Sequence, residues 1–117
     1  MAQRMQNKIL SMLGIAARGR NLVSGEFMTE KTVKEHKAYV VLVAEDASDN
    51  TKKMFRDMGA YHRVPVYIYG TKNGLAHAIG QEMRASLAIT DEGIANSIIQ
   101  KLEAGTTDGT GNEYGGR

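Results

Sequence analysis

The sequence predicts an α/β fold, a three-layer α/β/α sandwich. Two observations carry this. Amphipathic helical periods alternate along the chain with short β-branched runs. One of those runs, Tyr39-Val40-Val41-Leu42-Val43-Ala44, is apolar at every position. That is the pattern of a central strand buried on both faces. Helices alternating with such strands must cover both faces of a small sheet. A chain of 117 residues suits one domain. We expect that domain over residues 1–104.

The elements follow in order. Met5, Ile9, Met12, Leu13 and Ala16 lie on one face of a first helix, which Gly19 is expected to stop. Leu22-Val23 reads as a short strand. Ser24 is the expected N-cap of a second helix from Gly25 to His36, with Thr29, Thr32 and Val33 on its thin apolar face. After the strand Tyr39–Ala44, Ser48 or Asp49 caps a third helix carrying Thr51, Met54, Phe55 and Met58 and ending near Gly59. Val64–Tyr69 is a further strand, with the chain's one proline near its start, where a missing N–H is tolerated. Thr71 opens a short fourth helix that Gly80 stops, and residues 81–85 form a loop. Ser86–Thr90 is the last strand. Asp91 caps a final helix with Ile94, Ala95, Ile98, Ile99 and Leu102 inward. The glycine-rich, non-periodic stretch 105–117 is expected to be a flexible tail.

Composition narrows the functional classes. There are no cysteines, which removes disulfides and thiolate metal sites and fits a reducing cytoplasm. No apolar run approaches the roughly 20 residues of a membrane span, and no signal peptide is apparent. The net charge of +2 is uneven. Residues 1–40 hold seven bases against three acids. This is a modest nucleic-acid footprint, and a merely solvated helix surface would also account for it.

The basic third surrounds the stretch Leu22–Met28. A loop feeding a helix start offers unpaired N–H groups and a positive dipole end, which suits phosphates. Ser24, Gly25 and Glu26 form that start, with Lys31 further along and Arg18 and Arg20 upstream. If the loop before the last strand comes near, Arg84 joins Arg18, Arg20 and Lys31 in a basic rim around Phe27 and Met83. Basic side chains would hold a phosphate backbone while apolar or aromatic groups meet splayed bases. The plainer alternative buries Phe27 against the first helix and turns Met83 inward.

Other chemistry is weakly signalled. Glu45 and Asp46 follow a buried strand, where open α/β sheets place their sites, but Asp46 also suits a turn tie. His36, His62 and His77 are scattered, and no nucleophile triad or phosphate-loop spacing is present. We expect no cofactor and no catalysis.

The ordered motifs Leu22-Val23-Ser24-Gly25-Glu26, Lys37–Ser48, Val64-Pro65-Val66, Gly70-Thr71-Lys72 and Leu75–Gly80 resemble the kink-turn RNA-binding ribosomal protein family. Ala88–Gly93 is similar to its bacterial YlxQ branch. The likeness runs from about Lys8 to Lys101. It implies a mixed four-stranded sheet, no catalysis, and binding to structured RNA, ribosomal or otherwise kink-turn-like, with the ribosome as an implied site of action. A monomer is expected. The second helix would enter the RNA groove, Lys31 would support it, and the loop with Met83, Arg84 and Ala85 would cover an extruded base. Glu45 and Asp46 fall within the matching motifs and complete the candidate RNA-binding set. The two positions that read guanines in the family, an Asn and a Glu, hold Phe27 and Met28 here. Guanine edges left unpaired there would cost roughly 1–3 kcal/mol per group. A protein-interaction module on the same fold is the alternative reading.

Overall fold

A computed structural model of the chain describes residues 2–105, with side chains from Lys8 onward. Of the tail expected at 105–117, all but Gly105, which caps α5, lies outside what it describes, as does the inward placement of Met5. The element order is α1 (Ala2–Arg18), β1 (Leu22–Ser24), α2 (Glu26–Lys34), β2 (Val40–Val43), α3 (Asp49–His62), β3 (Val66–Ile68), α4 (Lys72–Ala78), β4 (Ser86–Ile89) and α5 (Glu92–Ala104).

The strands form one mixed sheet in the order β1-β4-β2-β3. β2 and β3 are parallel, with Val41 opposite Val66. β4 runs antiparallel to both its neighbours, pairing Leu22 with Ile89 on one side and Val43 with Ser86 on the other. Hence β1, β2 and β3 all point the same way. They leave from one edge of the sheet and arrive at the other, while β4 runs back. α2 and α3 pack together on one face; α1 packs against α4 and α5 on the other. The sandwich is therefore as predicted.

The core explains why these segments are strands. Val40, Val41, Leu42 and Val43 are wholly buried, as are Leu87, Ala88 and Ile89. β2 and β4 sit in the middle of the sheet, so both pleat faces are covered and no position needs a polar residue. Ile9, Leu13 and Ala16 bury α1, and Phe55 anchors α3. A Leu-to-Ala change at Leu42 would cost about 2–5 kcal/mol. Tyr67 is buried among them, and its hydroxyl donates to Glu103 Oε2 of α5 at 2.5 Å.

Several boundaries differ from expectation. Three capping residues are as read: Ser48, Thr71 and Asp91 each accept the backbone N–H three residues on. Ser24 is not a cap. It is the last residue of β1, paired with Leu87, and Gly25 takes the N-cap place without a side-chain bond. Gly59 does not end α3. The helix continues to His62, and Gly59 is where it touches β3: a Cβ there would lie 2.5 Å from Val66 Cγ2 and 2.6 Å from the Val64 carbonyl oxygen. α1 does stop before Gly19, as expected, but Gly19 does not supply the left-handed residue after it. Arg20 does, at φ 61°, and the Asn21 N–H then reaches back to the Ala16 carbonyl at 2.7 Å. His36 ends α2 the same way, at φ 62°, two residues beyond the helix. No helix among the described residues is long and apolar enough to cross a membrane.

Candidate nucleic-acid interface

The site is built where the strands arrive. Gly25 follows β1 with φ 92°, a conformation that side chains rarely adopt. Its N–H donates to the Ser86 carbonyl at 2.9 Å, which fixes the helix start against the first residue of β4. Its carbonyl accepts from Thr29 N–H at 2.9 Å, the first turn of α2. Among the described residues no side chain caps this helix, so the amides of its first turn are open to an incoming acceptor. Thr29 and Ser86 are both fully buried beneath it, their hydroxyls 3.5 Å apart.

Arg84 holds the neighbouring loop. Its Nε donates to Ser24 Oγ at 3.0 Å. One terminal nitrogen donates to the Glu82 carbonyl at 2.6 Å and the Met83 carbonyl at 3.3 Å; the other donates to Gln81 Oε1 at 3.0 Å. Its side chain lies 3.9 Å from where a Cβ on Gly25 would stand. Arg84 thus joins residues 81–84 to the end of β1. A planar guanidinium with donors in fixed directions suits such a clamp better than an ammonium would. The clamp leaves Met83 exposed, at φ 45° and 61% accessible. Ala85 completes the join, its carbonyl accepting from Ala44 N–H at 2.8 Å.

Phe27 is 74% accessible and Met28 41%. Phe27 is therefore not buried against α1, and Met83 does not turn inward. The reason is the helix phase: Thr29, Thr32 and Val33 take the inward side of α2, which turns residues 26–28 outward. Lys31 is exposed too, and its ammonium is 2.8 Å from Glu35 Oε2 one turn on. That lysine, with a second at Lys37, holds the Glu35 carboxyl below its usual range.

Glu45 and Asp46 also reach this edge. Glu45 N–H donates to the Gly70 carbonyl at 2.7 Å. Asp46 Oδ1 accepts from Lys72 N–H at 2.9 Å, so it ties the turn after β2 to the start of α4. Tyr69, half-buried beside them, has its hydroxyl pushed up to about 12 by burial first and by the Glu45 charge second.

Arg18 and Arg20 do not join the rim. Arg20 precedes β1 and Gly25 follows it, so the two stand at opposite ends of the strand. Arg18 lines a separate groove between α1 and α4, with Gly14, His77 and Gly80. Sequence reasoning named the loop 81–85 but not the roles of Gln81 and Glu82 as partners of Arg84, and it missed Ser86. Only a polar Ser at the head of an apolar strand hinted at the last.

Residues 7–99 match the Ribosomal protein L7Ae/L30e/S12e/Gadd45 family. The chain belongs to that family. Among its relatives is an RNA-binding protein YlxQ of Bacillus subtilis (strain 168), 40% identical over 79% of this chain and 92% of that protein. A second, from Enterococcus faecium and also named RNA-binding protein YlxQ, is 33% identical over 84% of this chain and 94% of its own length. These bear out the sequence resemblance, including its bacterial branch. A solved structure of a Bacillus halodurans protein of unknown function superposes with TM-score 0.80 at 32% identity, covering 82% of this chain and 97% of that one. The Giardia lamblia 15.5kD RNA binding protein shares the fold, with TM-score 0.74 at 23% identity over 87% and 90% of the two chains.

Proposed function

We propose that this L7Ae-family chain is a non-catalytic RNA-binding protein that docks structured, kink-turn-like RNA on the edge holding Gly25 and Arg84. One observation carries the reading: an uncapped helix start lies against a clamped loop, and both leave apolar side chains in the open. Relatives named as RNA-binding proteins support it. Phosphate oxygens accept from the first-turn amides of α2, and Lys31 adds its charge. Phe27 and Met83 meet unstacked bases by contact rather than by hydrogen bonding. Glu26 flanks the helix start, and Glu45 and Asp46 border the site from the β2 side. Guanine reading by amide and carboxylate is replaced at Phe27 and Met28, so recognition leans on shape and stacking. The protein acts as a cytoplasmic monomer on ribosomal or similarly folded RNA.

Titration against a kink-turn RNA, and against the same RNA without its G·A pairs, tests this. Binding to the kink-turn that falls steeply with salt is expected. Lys31→Ala should weaken it. No binding to either RNA at moderate salt would refute the proposal. Exposed Phe27, Met28 and Met83 also suit a protein partner. Capture of a protein that survives nuclease and is lost in Phe27→Ala would favour that second reading.

A further inference from the structure

α2 offers its flank as well as its start. A groove of about 480 Å³ runs from Met28, one turn in from Gly25, past Lys31 and Glu35 to His36, Lys37 and Tyr39. At its far end the His36 ring meets that of His62 edge-on, centroids 5.5 Å apart; beyond the groove's lining, Tyr61 meets His62 at 4.8 Å. Tyr61 is 83% accessible, and Tyr39 is exposed as well. Among the described residues Glu35 is the one acid lining the groove. It stands between two lysines, Lys31 at 2.8 Å and Lys37 at 3.7 Å, so the lining is net positive. Arg63, exposed beside Tyr61 and His62, forms no ion pair among the described residues. Asp91, at the same sheet edge, has a carboxylate oxygen engaged by Ile94 N–H at 2.9 Å.

We propose that this groove receives single-stranded RNA, a strand that leaves the structured RNA held at the start of α2. The inference rests on the RNA-binding reading above. A positive track with exposed aromatic rings is what binds unpaired strands without reading their sequence: cations follow the phosphates, and bases stack on ring faces. The groove begins next to the proposed site and follows a nine-residue helix, about 13 Å of path. The strand therefore passes from one contact to the next without leaving the surface.

The test measures affinity for a kink-turn RNA bare, and with a 5′ or 3′ oligouridine extension of about eight nucleotides. An oligouridine of the same length is titrated alone. One extended RNA should bind about fivefold or more tighter than the bare one. Tyr61→Ala and Lys37→Ala should remove that gain and leave bare-RNA affinity unchanged, whereas Tyr61→Phe should keep it. The Tyr61 side chain stands in solvent, so its removal leaves the core intact. Equal affinity for bare and extended RNAs overturns the groove proposal while the helix-start reading stands. If bare RNA does not bind, that reading falls, and the oligouridine decides the groove. Binding lost in Tyr61→Ala upholds it; no binding ends it. Dimerisation that Tyr61→Ala abolishes would assign the groove to a second copy and overturn the proposal.

Discussion

The two edges of the sheet solve the same geometric problem in opposite ways. Each must turn the chain through positive φ. Where the strands arrive, Gly25 and Gly70 do so at 92° and 72°, and Met83 at 45° in the clamped loop beside them. Where they leave, Arg20, His36 and Arg63 do so at 61–62°. Glycine brings bare backbone to the surface, and the amides at the start of α2 become usable. An arginine or histidine in the left-handed region costs roughly 1–2 kcal/mol that glycine would avoid. It keeps a cationic or titratable side chain at the closing end of a helix, where the dipole favours positive charge. The first edge opens main chain beside the exposed Phe27 and Met83; the second turns on arginine and histidine side chains.

Breaking the clamp should have the largest effect. Arg84→Ala removes the bonds to Ser24, Gln81, Glu82 and Met83. RNA affinity should fall about tenfold or more, while the unfolding midpoint drops modestly. An affinity loss below threefold would mean that the loop keeps its shape without Arg84. Next come paired glycine exchanges, read by denaturant unfolding. Gly25→Ala should destabilise by about 1–3 kcal/mol from backbone strain, because φ 92°, ψ 155° is a region essentially restricted to glycine, while the nearest side-chain atoms, at 3.9 Å, leave room for the methyl. Arg63→Gly should be neutral or stabilising by up to about 1 kcal/mol. Equal losses in both would erase the contrast between the edges.

Smaller effects sharpen it. Glu35→Gln frees Lys31 from its 2.8 Å ion pair and should raise RNA affinity severalfold at low salt. The pair is exposed, so stability should hardly move. Tyr69 adds a pH dependence. Its folded pKa of about 12 lies above the ordinary 10.0. The protonated form is favoured by folding, so this contribution is complete below pH 10 and is lost as pH rises towards 12. Unfolding midpoints measured across that window should fall less steeply in Tyr69→Phe.

Much of this was legible in the sequence because it is local. The period of Ile9, Leu13 and Ala16, the run Val40–Val43, and the caps Ser48, Thr71 and Asp91 each depend on residues a few positions apart. Ser24 misled because pairing with Leu87, 63 positions away, competes with capping and wins. The expected basic rim failed at Arg18 and Arg20 because strand direction assigns a residue to an edge, and direction is set by pairing order. The Arg84 clamp spans 60 positions to Ser24 and leaves no periodic trace. Phe27 was undecided between core and solvent until packing fixed the phase of α2 on Thr29, Thr32 and Val33.

β4 gives the two edges a fixed separation. Ser86 at its head receives the Gly25 N–H, and Thr90 just past its tail lines the groove on α2. Between them lie Leu87, Ala88 and Ile89, buried and hydrogen-bonded on both sides, so the distance of about 13 Å cannot stretch. An RNA that engages both ends is measured against a ruler. One whose free strand is too short to cover that distance beyond the bend should bind through the helix start only.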